Sequence, residues 1–120
     1  MARLGMVTVD CADARTLAEW WAARLGGHVI DQSDEWFCMV MHGEGQPLLG
    51  FQKVADPTPG KNKMHLDLTA TAEEGGRAAA SKAFVQAGAT FLSTQGEPGG
   101  FQWDVLSDPE GNQFCIADPN

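Results

Sequence analysis

Positive charge is scarce in this sequence: eight lysines and arginines stand against sixteen aspartates and glutamates, for a formal net charge of −8. Phosphate binding needs clustered Lys and Arg, so no nucleic-acid partner is expected. Cysteine is sparse too. Cys11, Cys38 and Cys115 are odd in number and lack finger-like spacing, which fits reduced thiols in a cytoplasmic protein better than a disulfide framework. The stretch MARLGMVTVD has no run long enough for a signal-peptide core, and no segment is long and apolar enough to span a bilayer, so no membrane partner is expected. What is there, 43% hydrophobic and 20% charged residues in a chain of 120, is the composition of one globular domain with a real core. Its acidity favours a cationic ligand over an anionic one.

One order of elements occurs twice. GMVTVDC alternates as a strand, with Val7, Val9 and Cys11 on one face and Met6, Thr8 and Asp10 on the other. Asp13 can cap the helix ARTLAEWWAARL, in which Leu17, Trp20, Trp21 and Leu25 recur at helical spacing, and Gly26-Gly27 ends it. Strands follow near HVID, WFCMVM and PLLGFQKV, the last two joined by HGEGQ. The second half repeats this: the strand KMHLDLT, a helix over TAEEGGRAAASKAFVQAGA closed by Gly88, and strands near TFLST, FQWDVLS and NQFCIAD, the last pair joined by DPEGN. Gly75-Gly76 in the first turns of that helix costs about 1 kcal/mol per glycine. The chain is expected to be α+β, a single domain over 1–120 built of two βαβββ modules (4–55 and 63–120) connected by residues 56–62.

In each module the helix should cover one face of the strands and leave the other free. A face that only met water should be uniformly polar. KMHLDLT instead sets His65, Asp67 and Thr69 on its free side, and the equivalent surfaces hold Met6 and, by register, Cys115. A mixed polar and apolar concave face suits a small-molecule site.

The doubled βαβββ plan, GKNKMHLDL opening the second half and LSDPEGNQFCI closing it resemble the vicinal oxygen chelate superfamily over essentially the whole chain. That group includes glyoxalase I, bleomycin resistance proteins and extradiol dioxygenases, and the match is similar to a glyoxalase-like subfamily. The resemblance implies a curved mixed sheet around a cleft, a homodimer, and in metal-using members one divalent ion held by His or Glu from the first and last strands of each module. Carried over residue by residue, the expected ligand positions fall on His65, which matches, and on Cys115, where a thiol replaces the carboxylate expected for magnesium, manganese or nickel. In the first half they fall on Met6, a poor ligand for hard ions, and within Leu49-Gly50-Phe51-Gln52, where Gln52 alone can coordinate. His65, Cys115 and Gln52 would be the metal set if a metal bound; no cofactor is expected.

His65 then has two readings: a neutral strand histidine needed for packing, or a polar anchor or general base for a ligand, with Asp67 or a neighbour orienting its ring. Nothing basic flanks Cys115 in sequence, which favours a buried cysteine over a nucleophile. Trp36 and Trp103 occupy corresponding later strands near Phe37 and Phe101, either as core or as cleft walls that stack a flat or cationic ligand. TQGEPGGFQ (94–102) is either a mobile rim or a long hairpin turn. The expected ligand-contacting set is therefore Met6, Thr8, Trp36, Gln52, His65, Asp67, Trp103 and Cys115. Two functions follow: a metal-independent binder of a small organic molecule, or a metal-dependent glyoxalase-like lyase, isomerase or dioxygenase using His65 as ligand or base.

Overall fold

The computed structural model describes residues 1, 4–33, 35–60, 64–71, 73 and 75–119, with the backbone alone for 31–33. Residues 61 and 62 of the GKN stretch, 63 of the expected strand, and 72 and 74 of the expected helix lie outside the described residues. The chain divides into two compact units, Met1–Pro57 and Thr58–Asn120. The first contains β1 (Met6–Cys11), α1 (Ala14–Leu25), β2 (His28–Ser33), β3 (Phe37–Met41) and β4 (Leu48–Lys53). The second contains β5 (Leu66–Thr69), α2 (Arg77–Gln86), β6 (Thr90–Gly96), β7 (Gln102–Ser107) and β8 (Gln113–Ala117). The class is α+β, and the doubled βαβββ order is present.

Both sheets have the same topology, β1-β4-β3-β2 and β5-β8-β7-β6. In each, the first strand lies parallel to the last and the other neighbours are antiparallel. A parallel partner cannot be reached by a hairpin, so the helix supplies the crossover and the last strand returns to lie beside the first. Residues that close each sheet are therefore distant in sequence.

Alternation puts the core on the helix side. In the first unit Ala14, Leu17, Ala18, Trp21 and Ala22 line one stripe of α1 and meet Cys11, Cys38, Val40, Leu49 and Phe51, all buried. Asp13 caps α1 through Thr16 N at 3.1 Å and Thr16 Oγ1 at 2.9 Å. These bonds to the charged carboxylate hold its pKa below the ordinary value. Gly26 closes α1 with φ +67°. Trp20, beside buried Trp21, is half-buried under the Arg24 guanidinium.

Three boundaries differ from expectation, each for a backbone reason. Helix α2 begins at Arg77 rather than Thr71, because Gly75 and Gly76 have φ of +89° and +88°, outside the helical region. Gly76 has no side chain to cap the helix, and Asp118 does so from beyond β8, accepting from Arg77 N at 2.7 Å. Strand β5 begins at Leu66, where its ladder with Phe114 starts, so His65 immediately precedes it. Strand β6 runs to Gly96, paired with Gln102, which reduces the segment 94–102 to a tight hairpin closed by hydrogen bonds between Glu97 and Phe101 and from Gly100 to Glu97.

The helix side of the second sheet carries one buried polar cluster. Asp104 on β7, 2% exposed, accepts from Arg77 Nη1, from Ser81 Oγ at 2.6 Å and from Thr94 Oγ1 at 2.8 Å. Both oxygens of the buried carboxylate are thus hydrogen-bonded. Among the described residues, no helix is long and apolar enough to cross a membrane.

Candidate functional site

The open face of the second sheet forms a groove of about 930 Å³. Its floor is built by alternation: Asp67 and Thr69 from β5, Gln113, Cys115 and Ala117 from β8, and Trp103 and Val105 from β7. Leu92, Ser93 and Gln95 from β6 border it, and Phe101 projects from the hairpin, its ring centroid 5.7 Å from that of Trp103 at 36°. The wall is flat and aromatic on one side, polar on the other.

The DPEGN turn sets up β8. Asp108, buried, accepts from the backbone N–H groups of Glu110 and Asn112 at 2.9 Å each and from Asn112 Nδ2, while Gly111 takes φ +87°. This Asx-type turn reverses the chain tightly and leads β8 out with Phe114 and Ile116 towards the core and Cys115 towards the groove.

His65 and Asp67 are two residues apart and so share a face, and their side chains meet, Nδ1 to Oδ1, at 2.9 Å. When the ring is neutral, Nδ1 carries the proton donated to Asp67 and Nε2 is left as an acceptor. Cys115 stands opposite Asp67 in the ladder, and ring nitrogen, carboxylate oxygen and sulfur lie within 4.8 Å of one another. His65 is 38% exposed and Asp67 72%, so the pair is open to an incoming molecule.

The structure therefore gathers His65, Asp67, Trp103 and Cys115 of the expected site residues into one groove. Met6 and Thr8 belong to the first unit and converge on Gly50: a Cβ there would meet Met6 Sδ and Phe37 Cζ at 2.9 Å and Thr8 Oγ1 at 3.0 Å. Gln52 lies one outward position further along β4, opposite Asp10 and Phe37. Trp36 is 62% exposed, with the Lys53 ammonium 5.2 Å from its ring centroid. Sequence reasoning left Phe101 out of the ligand-contacting set, and it brought Cys115 and His65 together only through the family resemblance, as ligands of one ion. Fifty residues separate those two, and the β5–β8 register gives the meeting its structural basis.

A divalent ion is the group that metal-using relatives would hold. In the first unit the outward positions around Gly50 offer a thioether and a hydroxyl, which do not fit a hard ion. In the second, the grouping of imidazole, carboxylate and thiol is a softer donor set of the kind that holds zinc. Ligand atoms on a zinc tetrahedron are about 3.3–3.8 Å apart, so the trio would have to draw together and give up its His65–Asp67 hydrogen bond.

Comparison with curated proteins found no match. Among solved structures, a glyoxalase/bleomycin resistance protein/dioxygenase family enzyme from Burkholderia phytofirmans PsJN superposes with a TM-score of 0.78 at 21% identity, over 98% of each chain. A member of the glyoxalase/bleomycin resistance protein/dioxygenase superfamily from Sphaerobacter thermophilus DSM 20745 gives 0.72 at 21% identity, covering 99% of this chain and 98% of that one. A structure of a possible glyoxalase from Bacillus cereus gives 0.71 at 13% identity, covering 98% and 99%. These likenesses bear on the fold. The family model of the glyoxalase-like domain matches residues 6–117, from the first residue of β1 to the last of β8. With the doubled βαβββ sheets and the DPEGN-led last strand, that match makes the chain a member of the glyoxalase-like domain family, within the vicinal oxygen chelate superfamily.

Proposed function

We propose that this protein binds a small organic molecule in the groove of its second unit, stacking a flat part of it on Phe101 and Trp103 and anchoring a polar group at the His65–Asp67 pair. One observation carries this: a groove of about 930 Å³, within the usual size of small-molecule sites, joins an aromatic wall to a hydrogen-bonded imidazole–carboxylate pair. Stacking supplies most of the affinity, and the imidazole edge, with the Gln95 and Gln113 amides, selects for hydrogen-bonding groups. The net charge of −8 biases the choice towards neutral or cationic compounds.

Tryptophan fluorescence of the wild type and of Trp103→Phe, titrated with a panel of planar natural products, tests the proposal. A saturable change that Trp103→Phe removes, together with weaker binding in His65→Ala, is the expected result. Saturable binding that neither substitution alters would refute this placement.

A second reading, metal-dependent chemistry in the same groove, is favoured by the nearness of His65, Asp67 and Cys115. A bound zinc-type ion would supply Lewis-acid polarisation of a substrate oxygen. The chain's own residues would do the rest: Phe101 and Trp103 orient the substrate, and the amides of Gln95 and Gln113 fix its polar groups. Elemental analysis of protein purified without chelator separates the two readings, since stoichiometric metal that is lost in Cys115→Ser would favour the second.

A further inference from the structure

We propose that Cys115 is a nucleophile, that His65 accepts its proton while Asp67 holds the ring, and that the thiol adds to planar conjugated electrophiles of the α,β-unsaturated carbonyl class. The choice of electrophile rests on the binding function proposed above; the reactivity of the thiol rests on the geometry of the three side chains.

The linear sequence places nothing basic beside Cys115, but the fold does. Asp67 faces Cys115 across the β5–β8 ladder, and His65 sits two residues before Asp67 on the same side. An imidazole oriented through Nδ1 by a carboxylate, with a thiol close by, is the nucleophile–base–orienting-group arrangement of covalent catalysts. The sulfur lies within 4.8 Å of a ring nitrogen of His65. The proton transfer requires Nε2, the nitrogen not bonded to Asp67, to reach it by side-chain rotation, as catalytic contacts that are long in ligand-free sites tighten on binding. Access singles out the same residue: Cys11 and Cys38 are buried at 0% exposure, whereas Cys115 is partly exposed in the groove.

The addition balances without any further reactant. The thiol proton passes to the imidazole and the sulfur forms a bond to the β carbon. The π pair of the C=C bond shifts through the α carbon to the carbonyl oxygen as an enolate, and the imidazolium returns the proton to the α carbon. Every atom of both partners ends in the adduct, and neither is oxidised by an outside agent. A polarisable sulfur favours a soft carbon electrophile, and the tilted Phe101–Trp103 pair favours a flat conjugated one.

Two reagents on the intact protein test the proposal, with adducts located by mass spectrometry. Iodoacetamide reports the thiol alone. It should modify Cys115 selectively, about tenfold faster than the same thiol in the urea-unfolded chain. His65→Gln should remove that advantage and Asp67→Asn reduce it, with circular dichroism unchanged. Equal rates in wild type and His65→Gln would overturn the thiol assignment, whatever the groove binds. Stoichiometric zinc or iron whose removal alone exposes the thiol would overturn it as well. N-phenylmaleimide compared with N-ethylmaleimide reports the groove: a preference for the phenyl reagent that Trp103→Ala abolishes supports the electrophile class. No preference, with iodoacetamide activation intact, would overturn that class and the aromatic wall on which it depends, while leaving the activated thiol in place.

Discussion

Removing Arg77 should destabilise the protein more than removing the whole Arg77–Asp104 pair. Asp104 is almost fully buried on the helix side of β7, and among the described residues Arg77 is the one cation that hydrogen-bonds to it, beside the Ser81 and Thr94 hydroxyls. Arg77→Met therefore leaves a carboxylate in a low-dielectric setting with only neutral donors. Breaking a buried pair from one side costs about 3–5 kcal/mol, and the 17% exposure of the Arg77 side chain places the estimate at the lower end, about 3 kcal/mol. For a domain of this size that is a fall in melting temperature of roughly 10 °C. Replacing both residues with apolar ones, Arg77→Met with Asp104→Leu, removes the stranded charge. It leaves two hydroxyls without their acceptor, at a cost of about 1–2 kcal/mol in total. Urea denaturation followed by circular dichroism measures all three variants in one thermodynamic cycle. The reasoning is refuted if the double variant loses as much stability as Arg77→Met alone. The cluster also matters for the groove. Asp104 is flanked on β7 by Trp103 and Val105, which line the opposite face, so Arg77→Met should broaden ligand-induced fluorescence changes before the protein unfolds.

Other expectations concern single turns. Asp13→Ala should cost about 1 kcal/mol through loss of the α1 cap, measured by urea denaturation. Because hydrogen bonds to Thr16 depress the folded-state pKa of Asp13, its charge-linked stabilisation is full above the unfolded carboxylate pKa and is lost as pH falls through the lower folded value. Asp13→Asn, which keeps an acceptor, should retain the cap and flatten that acid limb; an unchanged limb refutes the assignment. At Gly96, φ is +100° and a Cβ would sit 2.2 Å from Phe101 O, so Gly96→Ala should cost more than about 1 kcal/mol and weaken groove binding by displacing the Phe101–Trp103 hairpin. Normal stability and normal affinity in that variant would show that the hairpin is not strained at this position.

The class and element order were legible because alternation and helical spacing recur in the same order on both sides of the DPTPG connection, punctuated by HGEGQ and DPEGN. The start of α2 was not. The polar run before Arg77 has helix-compatible residues, and only the positive φ of Gly75 and Gly76 shows that the chain turns there before winding. Alternation also separated the two faces of β5, while Trp103 on β7 stayed open between core and cleft wall and Cys115 on β8 was placed by register and resemblance. It did not show how far β6 extends, because strand length there is decided by pairing across the hairpin rather than by the β6 residues themselves. The proximity of His65 and Cys115 came from the family resemblance and not from alternation or spacing, since it depends on which strand becomes the parallel neighbour of β5 and at what register.

That parallel neighbour has a consequence for how the protein is made. Because β8 is synthesised after β5, the imidazole emerges fifty residues ahead of the sulfur it is to meet. A nascent chain carries the histidine–aspartate pair with an unfilled sheet edge beside it, and the chemistry proposed for Cys115 requires that β8 dock there. Products stalled or clipped before β8 should thus lack the reactivity proposed for Cys115 and be prone to edge-to-edge association.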